Sequence, residues 1–172
     1  MTDAIRAAIE GASAYLSDHT DEARYTDSVA LARVTDGLRM RVTGPTGEEL
    51  VTDMPGAVGG GGSAPSPGWF LRAAVAACVA SLAVMRAAQL GIAGFGCEVE
   101  VDSESDDRGI LGLDDDVPGG PLSTRITLRL SAAEAGPDLL REVADWAVHH
   151  CPVSDAVRRA VPTTVEVEVA PA

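Results

Sequence analysis

Residues 59–90 read GGGGSAPSPGWFLRAAVAACVASLAVMRAAQL, and the way this stretch folds decides the architecture. Four successive glycines, Gly59 to Gly62, predict a flexible loop ahead of a helix. Ser66 followed by Pro67 is a helix start, because the hydroxyl can accept a bond from the first turn and proline lacks an N–H that would go unused there. The chain stays apolar to about Leu90, and Gly91 supplies a natural stop. Eight alanines lie between Trp69 and Ala88, and apolar residues fall on most faces. Small side chains let another helix approach closely, so this reads as a central helix surrounded on most sides. Arg72 and Arg86 interrupt it, and alanine replaces the leucine expected of a membrane span. Neither a Lys-Ser/Thr pair after the glycines nor a GxGxxG opening the helix is present, which argues against nucleotide binding.

Working outward, residues 2–17 place Ile5, Ala8, Ile9, Ala12 and Leu16 near helical spacing. Residues 18–27 are polar and read as a loop. Residues 29–34 are β-prone, and Leu38, Met40 and Val42 alternate with Arg39 and Arg41. Asp36-Gly37 between these runs predicts a tight hairpin. A second turn at residues 44–47 leads to a third strand over 49–53. Beyond the central helix, Cys97, Val99 and Val101 alternate with acids, and residues 102–120 form an acidic loop that lacks the pattern of a calcium-binding hand. Ile126, Leu128 and Leu130 mark another strand, residues 137–149 an amphipathic helix, and residues 152–160 a short one. Val165, Val167 and Val169 alternate with Glu166 and Glu168 as a final strand. Helices mixed with antiparallel hairpins give an α+β class. The chain divides into an N-terminal helical extension, residues 1–24, and a single domain, residues 25–172.

The chain has 172 residues, enough for one domain that buries roughly 70% of its unfolded surface. Its 13 cations, all arginine, face 26 acids, for a net charge of −13. That balance disfavours nucleic acid and anionic membranes as partners. Aromatics are 3%, too few for a base-stacking surface. The first residues carry no cationic, apolar leader pattern, and three cysteines do not make a disulfide scaffold, so a cytoplasmic location is expected.

The cysteines carry the sharpest chemical signal. Cys78 lies within AAVAACVASL, where a small buried hydrophobe is the plain reading. Cys151 lies in HHCPVSDA, just ahead of a helix, where the backbone favours thiolate. Cys97 falls on the apolar face of its strand. No CxxC pair and no zinc spacing occur. His149 and His150 could supply a base beside Cys151, or merely cap carbonyls.

These segments together resemble the OsmC/Ohr family of thiol-dependent hydroperoxide reductases. The glycine-rich loop, the proline-led helix ending in Ala-Ala-Cys, and the later Cys-Pro-Val-Ser carry the likeness. The hairpin VTDGLRMRVTG with TDMP behind it, and VEVDSESDDRGILG, are also similar. The resemblance spans about residues 25–170. It implies a bacterial, intertwined homodimer, with two long central helices wrapped by curved antiparallel sheets. It implies Cys78 as the peroxidatic cysteine, Cys151 as the resolving one, and Arg39 as the nearest match to the arginine that supports the thiolate. No cofactor or metal is implied; an external dithiol would reduce the enzyme. Family reductases carry a glutamate about ten residues before the first cysteine, where this chain has Gly68 and Trp69. Trp69 and Phe70 would instead line a pocket for a hydrophobic hydroperoxide. The alternatives are a non-peroxidatic relative that binds a small apolar ligand at the dimer interface, and a structural dimer with both cysteines merely packed.

Overall fold

The computed structural model describes residues 2–169. Helix α1, Thr2–Asp18, is followed by strands β1, Leu31–Asp36, β2, Arg39–Thr43, and β3, Glu49–Thr52. A 3-10 turn over Gly56–Val58 leads to the long helix α2, Pro67–Gln89. Strand β4, Gly96–Glu104, the short helix α3, Asp107–Ile110, and β5, Ser123–Ser131, come next, then helices α4, Pro137–His150, and α5, Pro152–Arg158. The expected α+β class is what forms.

The predicted signals act locally as read. Gly37 adopts φ 53°, the left-handed geometry that the β1–β2 hairpin needs. Ser66 Oγ accepts from the Trp69 amide at 3.3 Å, and Pro67 opens α2. Gly91, at φ 70°, lets the Ile92 amide turn back to the Ala87 carbonyl at 2.9 Å and close the helix end.

The two sheets are separate. One is the antiparallel order β1-β2-β3, the other the ribbon β4-β5. The core lies between the ribbon, α2 and α4. Val75, Val79, Ala83 and Ala87 of α2 meet Val143 and Ala147 of α4, with Cys97, Val99, Val101, Ile126, Leu128 and Leu130 packed around them. Helix α1 lies along α2, but none of its residues is buried.

Four expectations are corrected. First, α2 is not surrounded within one chain: only Val75, Val79, Ala83, Ala87 and Ala88 are buried, while Ala74, Ala77, Ser81 and Val84 stay exposed. Length and apolarity alone would let α2 cross a membrane; here one face of it forms the core. Second, residues 165–169 form no strand: they join neither sheet and make no backbone hydrogen bond to another segment. Third, the acidic stretch continues β4 to Glu104 and then forms α3. The Asp106 carboxylate caps that helix through the Arg108 amide, and the Arg108 guanidinium beside it holds Asp106 down to about 2. Fourth, the glycine loop is not loose, for reasons that involve the site.

Candidate functional site

Helix α2 crosses both α4 and α5, and this packing sets Cys78, in mid-helix, against Cys151 at the α4–α5 joint. The two thiols pack in one cluster, close enough for Cys151 to raise Cys78, and neither is in a disulfide. Cys151 is fully buried and Cys78 half-buried. Cys78 is therefore the more accessible of the two to a reagent from solvent.

The local sequence explains the joint. Cys151 leaves α4 with extended backbone and serves as the N-cap of α5. Pro152 has no amide hydrogen, so the first free donors of α5 belong to Val153 and Ser154. The Ser154 amide donates to Cys151 Sγ at 3.3 Å. The Val153 amide lies near Cys78 and favours its thiolate. Cys151 thus has a backbone donor supplied by its own Cys-Pro-Val-Ser segment.

Burial pushes the Cys78 thiol up, contact with Cys151 pushes it the same way, and the Val153 amide opposes both. Burial also raises Cys97. Neither Arg39 nor the two arginines of α2 is paired with the sulfurs. Arg72 donates to Ser103 Oγ at 3.3 Å. Arg86 Nε donates to Glu142 at 3.0 Å, with its guanidinium over the Trp146 ring. Arg39 is exposed on β2 and lines a separate 430 Å³ hollow with Asp36, Asp53 and Gly59 to Gly61.

The remaining expected residues are apart from the sulfur pair in a single chain. Trp69 precedes Cys78 by nine residues, which on an α-helix is about half a turn round and ~13 Å along the axis. It is 49% exposed and meets Phe70 edge-on. A 330 Å³ cavity lies at the first turn of α2, between Gly68, Leu71, Arg72, Ile110 and Pro121, and does not reach Cys78. A Cβ at Gly68 would find its nearest neighbour, Arg72 Nη1, 3.9 Å away, so packing does not forbid a carboxylate there. The imidazoles are turned elsewhere too: His150 Nδ1 contacts the Trp146 carbonyl at 2.8 Å and its ring stacks on Trp146. Among the described residues no cluster of His, Cys, Asp and Glu is placed to hold a metal ion.

Asp53 was not singled out by the sequence. It is 3% exposed. One carboxylate oxygen accepts from the Met54 amide at 2.8 Å and the Gly61 amide at 3.3 Å. The other accepts from the Ser63 amide at 2.9 Å and the Ser63 hydroxyl at 2.8 Å. These donors, the Ser63 amide first, hold its carboxyl below the usual range. The Asp53 amide also donates to Pro65 at 3.2 Å, closing the loop just before α2. The amides of Gly59, Gly60 and Gly62 bond to carbonyls of the same loop. With every amide from Gly59 to Ser63 engaged, the loop has no cradle for phosphate. Gly60 allows this tightness, since a Cβ there would strike the Met54 carbonyl at 1.9 Å.

Fold and site together define an α+β protein whose long central helix sets one thiol against a second at the mouth of another helix. The chain belongs to the family described as OsmC-like protein, whose model matches residues 60–166. No protein of curated function matches it. Solved structures share the fold at low identity. An OsmC-like protein from Mycoplasma pneumoniae has TM-score 0.65 at 14% identity, over 78% of this chain and 89% of that one. An organic hydroperoxide resistance protein OsmC from Legionella pneumophila has TM-score 0.56 at 21%, over 78% and 91%. The organic hydroperoxide resistance protein OhrB of Bacillus subtilis has TM-score 0.52 at 23%, over 77% and 91%.

Proposed function

We propose that this chain reduces organic hydroperoxides with Cys78 as the attacking thiol and Cys151 as the resolving thiol, as a homodimer in the bacterial cytoplasm. The observation that carries this reading is the packing of Cys78 beside Cys151 in one cluster, with Cys78 the more exposed of the two. The Cys78 thiolate attacks the terminal peroxide oxygen and the O–O bond breaks. The leaving alkoxide takes a proton and departs as an alcohol, and Cys78 becomes a sulfenic acid. The Cys151 sulfur then attacks Cys78 Sγ, hydroxide leaves as water, and a disulfide forms. An external dithiol reduces it by exchange. No step calls for a metal or organic cofactor.

Ionising Cys78 against its burial needs a positive group, and a second copy is the source this reading assigns. A compact 17.7 kDa monomer exposes about 8,000 Å². This chain exposes 12145 Å², an excess of about 4,000 Å² that fits an obligate dimer. The β1-β2-β3 sheet shows the same need. Ala32, Val34, Met40, Val42 and Leu50 share one face by register, and no helix of the chain packs on it beyond marginal contact. A three-stranded sheet with a bare apolar face requires covering. This reading assigns the positive group to the partner's Arg39, beside the β1–β2 turn, and the wall for a hydrophobic substrate to Trp69 and Phe70 at the start of α2.

The test is turnover of cumene hydroperoxide with a dithiol, which Cys78→Ser should abolish. One observation favours a second reading, a non-peroxidatic protein binding a small apolar ligand: the Cys78 thiol is pushed up, and Gly68 and Trp69 stand where a carboxylate would orient the arginine. Absent turnover, together with unchanged binding of an apolar probe by Cys78→Ser, would select that reading.

A further inference from the structure

Eight of the 13 arginines are ion-paired, and Arg24, Arg33, Arg39, Arg72 and Arg158 have no carboxylate partner among the described residues. Four of these five are exposed, where water solvates a guanidinium unaided. Arg72 alone is half-buried. Its one hydrogen bond to a described residue runs from Nη1 to Ser103 Oγ at 3.3 Å. Arg86, the other arginine of α2, has Glu142. A charge partly withdrawn from water and given only a hydroxyl lacks the partner that offsets its burial.

The space for such a partner lies beside it. Arg72 lines the 330 Å³ cavity at the first turn of α2, a volume at the small end of the range for ligand pockets. Glycine at position 68 keeps that space open, because Arg72 Nη1 lies 3.9 Å from the point where a Cβ would stand. Met54, Leu71, Ile110 and Pro121 supply apolar wall, and Ile110 is 56% exposed. One chain builds the whole cavity, from α2, residues 54–55, the segment SESDDRGILG at 103–112 and the loop at 119–121. Two acids border it. Asp106 is matched by Arg108, whose Nε donates to it at 3.0 Å. Asp107 is exposed and has no cation partner among the described residues. An acid at the rim repels a dianion about twice as strongly as a monoanion.

We propose that this cavity binds a small monocarboxylate with an apolar body. The carboxylate pairs with the Arg72 guanidinium in the space that Gly68 leaves open, a match of two planar groups. The apolar body lies against Leu71, Ile110 and Pro121. Cys78 does not line the cavity, so the site stands independently of the thiol chemistry and of a second chain.

Calorimetric titration of the full chain at pH 7 with 3-phenylpropionate and with octanoate tests it, using the matching amides as neutral counterparts. At least one acid should bind once per chain, about tenfold tighter than its amide, because a charge-assisted bond replaces a neutral one. Arg72→Gln should bring the acid down to the level of the amide. Gly68→Glu has room for its side chain and places an internal carboxylate one helical turn from Arg72. It should abolish binding in a chain that still folds. Cys78→Ser should bind like wild type, and inorganic phosphate should not compete. No saturable binding of either acid overturns the proposal. So does equal affinity for acid and amide, or undiminished binding in Arg72→Gln or Gly68→Glu. Binding lost in Cys78→Ser would move the site to the thiols, and displacement by phosphate would overturn the monocarboxylate class.

Discussion

Asp53 offers a stringent test of how the loop before α2 is held. Its carboxylate is buried, pairs with no cation among the described residues, and accepts from three amides and one hydroxyl. Asparagine keeps the shape and one oxygen, so the Met54 and Gly61 amides retain an acceptor. Its NH₂ group faces Ser63. The hydroxyl can turn and accept, but the Ser63 amide cannot. One buried donor left unmade costs about 1–3 kcal/mol, so Asp53→Asn should lose about 2 kcal/mol and Asp53→Ala about 4. At this chain length 1 kcal/mol moves Tm by about 2–4 °C, which gives drops of roughly 6 °C and 12 °C at one fixed protein concentration. The pH dependence has a definite sign. The carboxyl lies below its usual range when folded, so its contribution is present above the unfolded value of about 3.9 and is lost as pH falls through the folded one. The gap between wild type and Asp53→Asn at pH 7 should therefore close in acid. Equal melting at pH 7, or a gap that stays undiminished to the acid limit of the wild-type fold, would refute this account of the loop.

Two further outcomes follow from packing and burial. Val143 is fully buried between α4 and α2, so Val143→Ala should cost about 2 kcal/mol by removing apolar contacts and leaving a void; a chemical denaturation curve checks it. The Cys78 thiol is raised by burial, so in a dilute, monomeric chain its alkylation by iodoacetamide should keep rising with pH beyond the ordinary thiol range. If the proposed dimer forms and its partner supplies the positive group, the rise there should begin at lower pH. A monomer and dimer with one shared profile would remove the cation from the mechanism.

Much of the fold is legible in short-range pattern. Asp36-Gly37, Ser66-Pro67 and Gly91 each specify a local geometry that needs no distant partner. The cysteine pair was legible only through family resemblance, because nothing local to Cys78 or Cys151 says they meet; that depends on how α2 crosses α4 and α5. Asp53 was missed since a single acid before Met-Pro looks like any loop acid, and its ligands come from Gly61 and Ser63, eight and ten residues on. The valine run at residues 165–169 was read as a strand because alternation reports a half-buried environment, and alternation cannot say which chain supplies the other half.

The central claim is that Cys78 and Cys151 react as a pair, and peptide mass spectrometry after one equivalent of an organic hydroperoxide tests it most directly. The account requires a Cys78–Cys151 disulfide within one chain, with Cys97 still reduced, and a sulfenic acid trapped at Cys78 in Cys151→Ser. Two free thiols after exposure, or a disulfide that engages Cys97 instead, would contradict it.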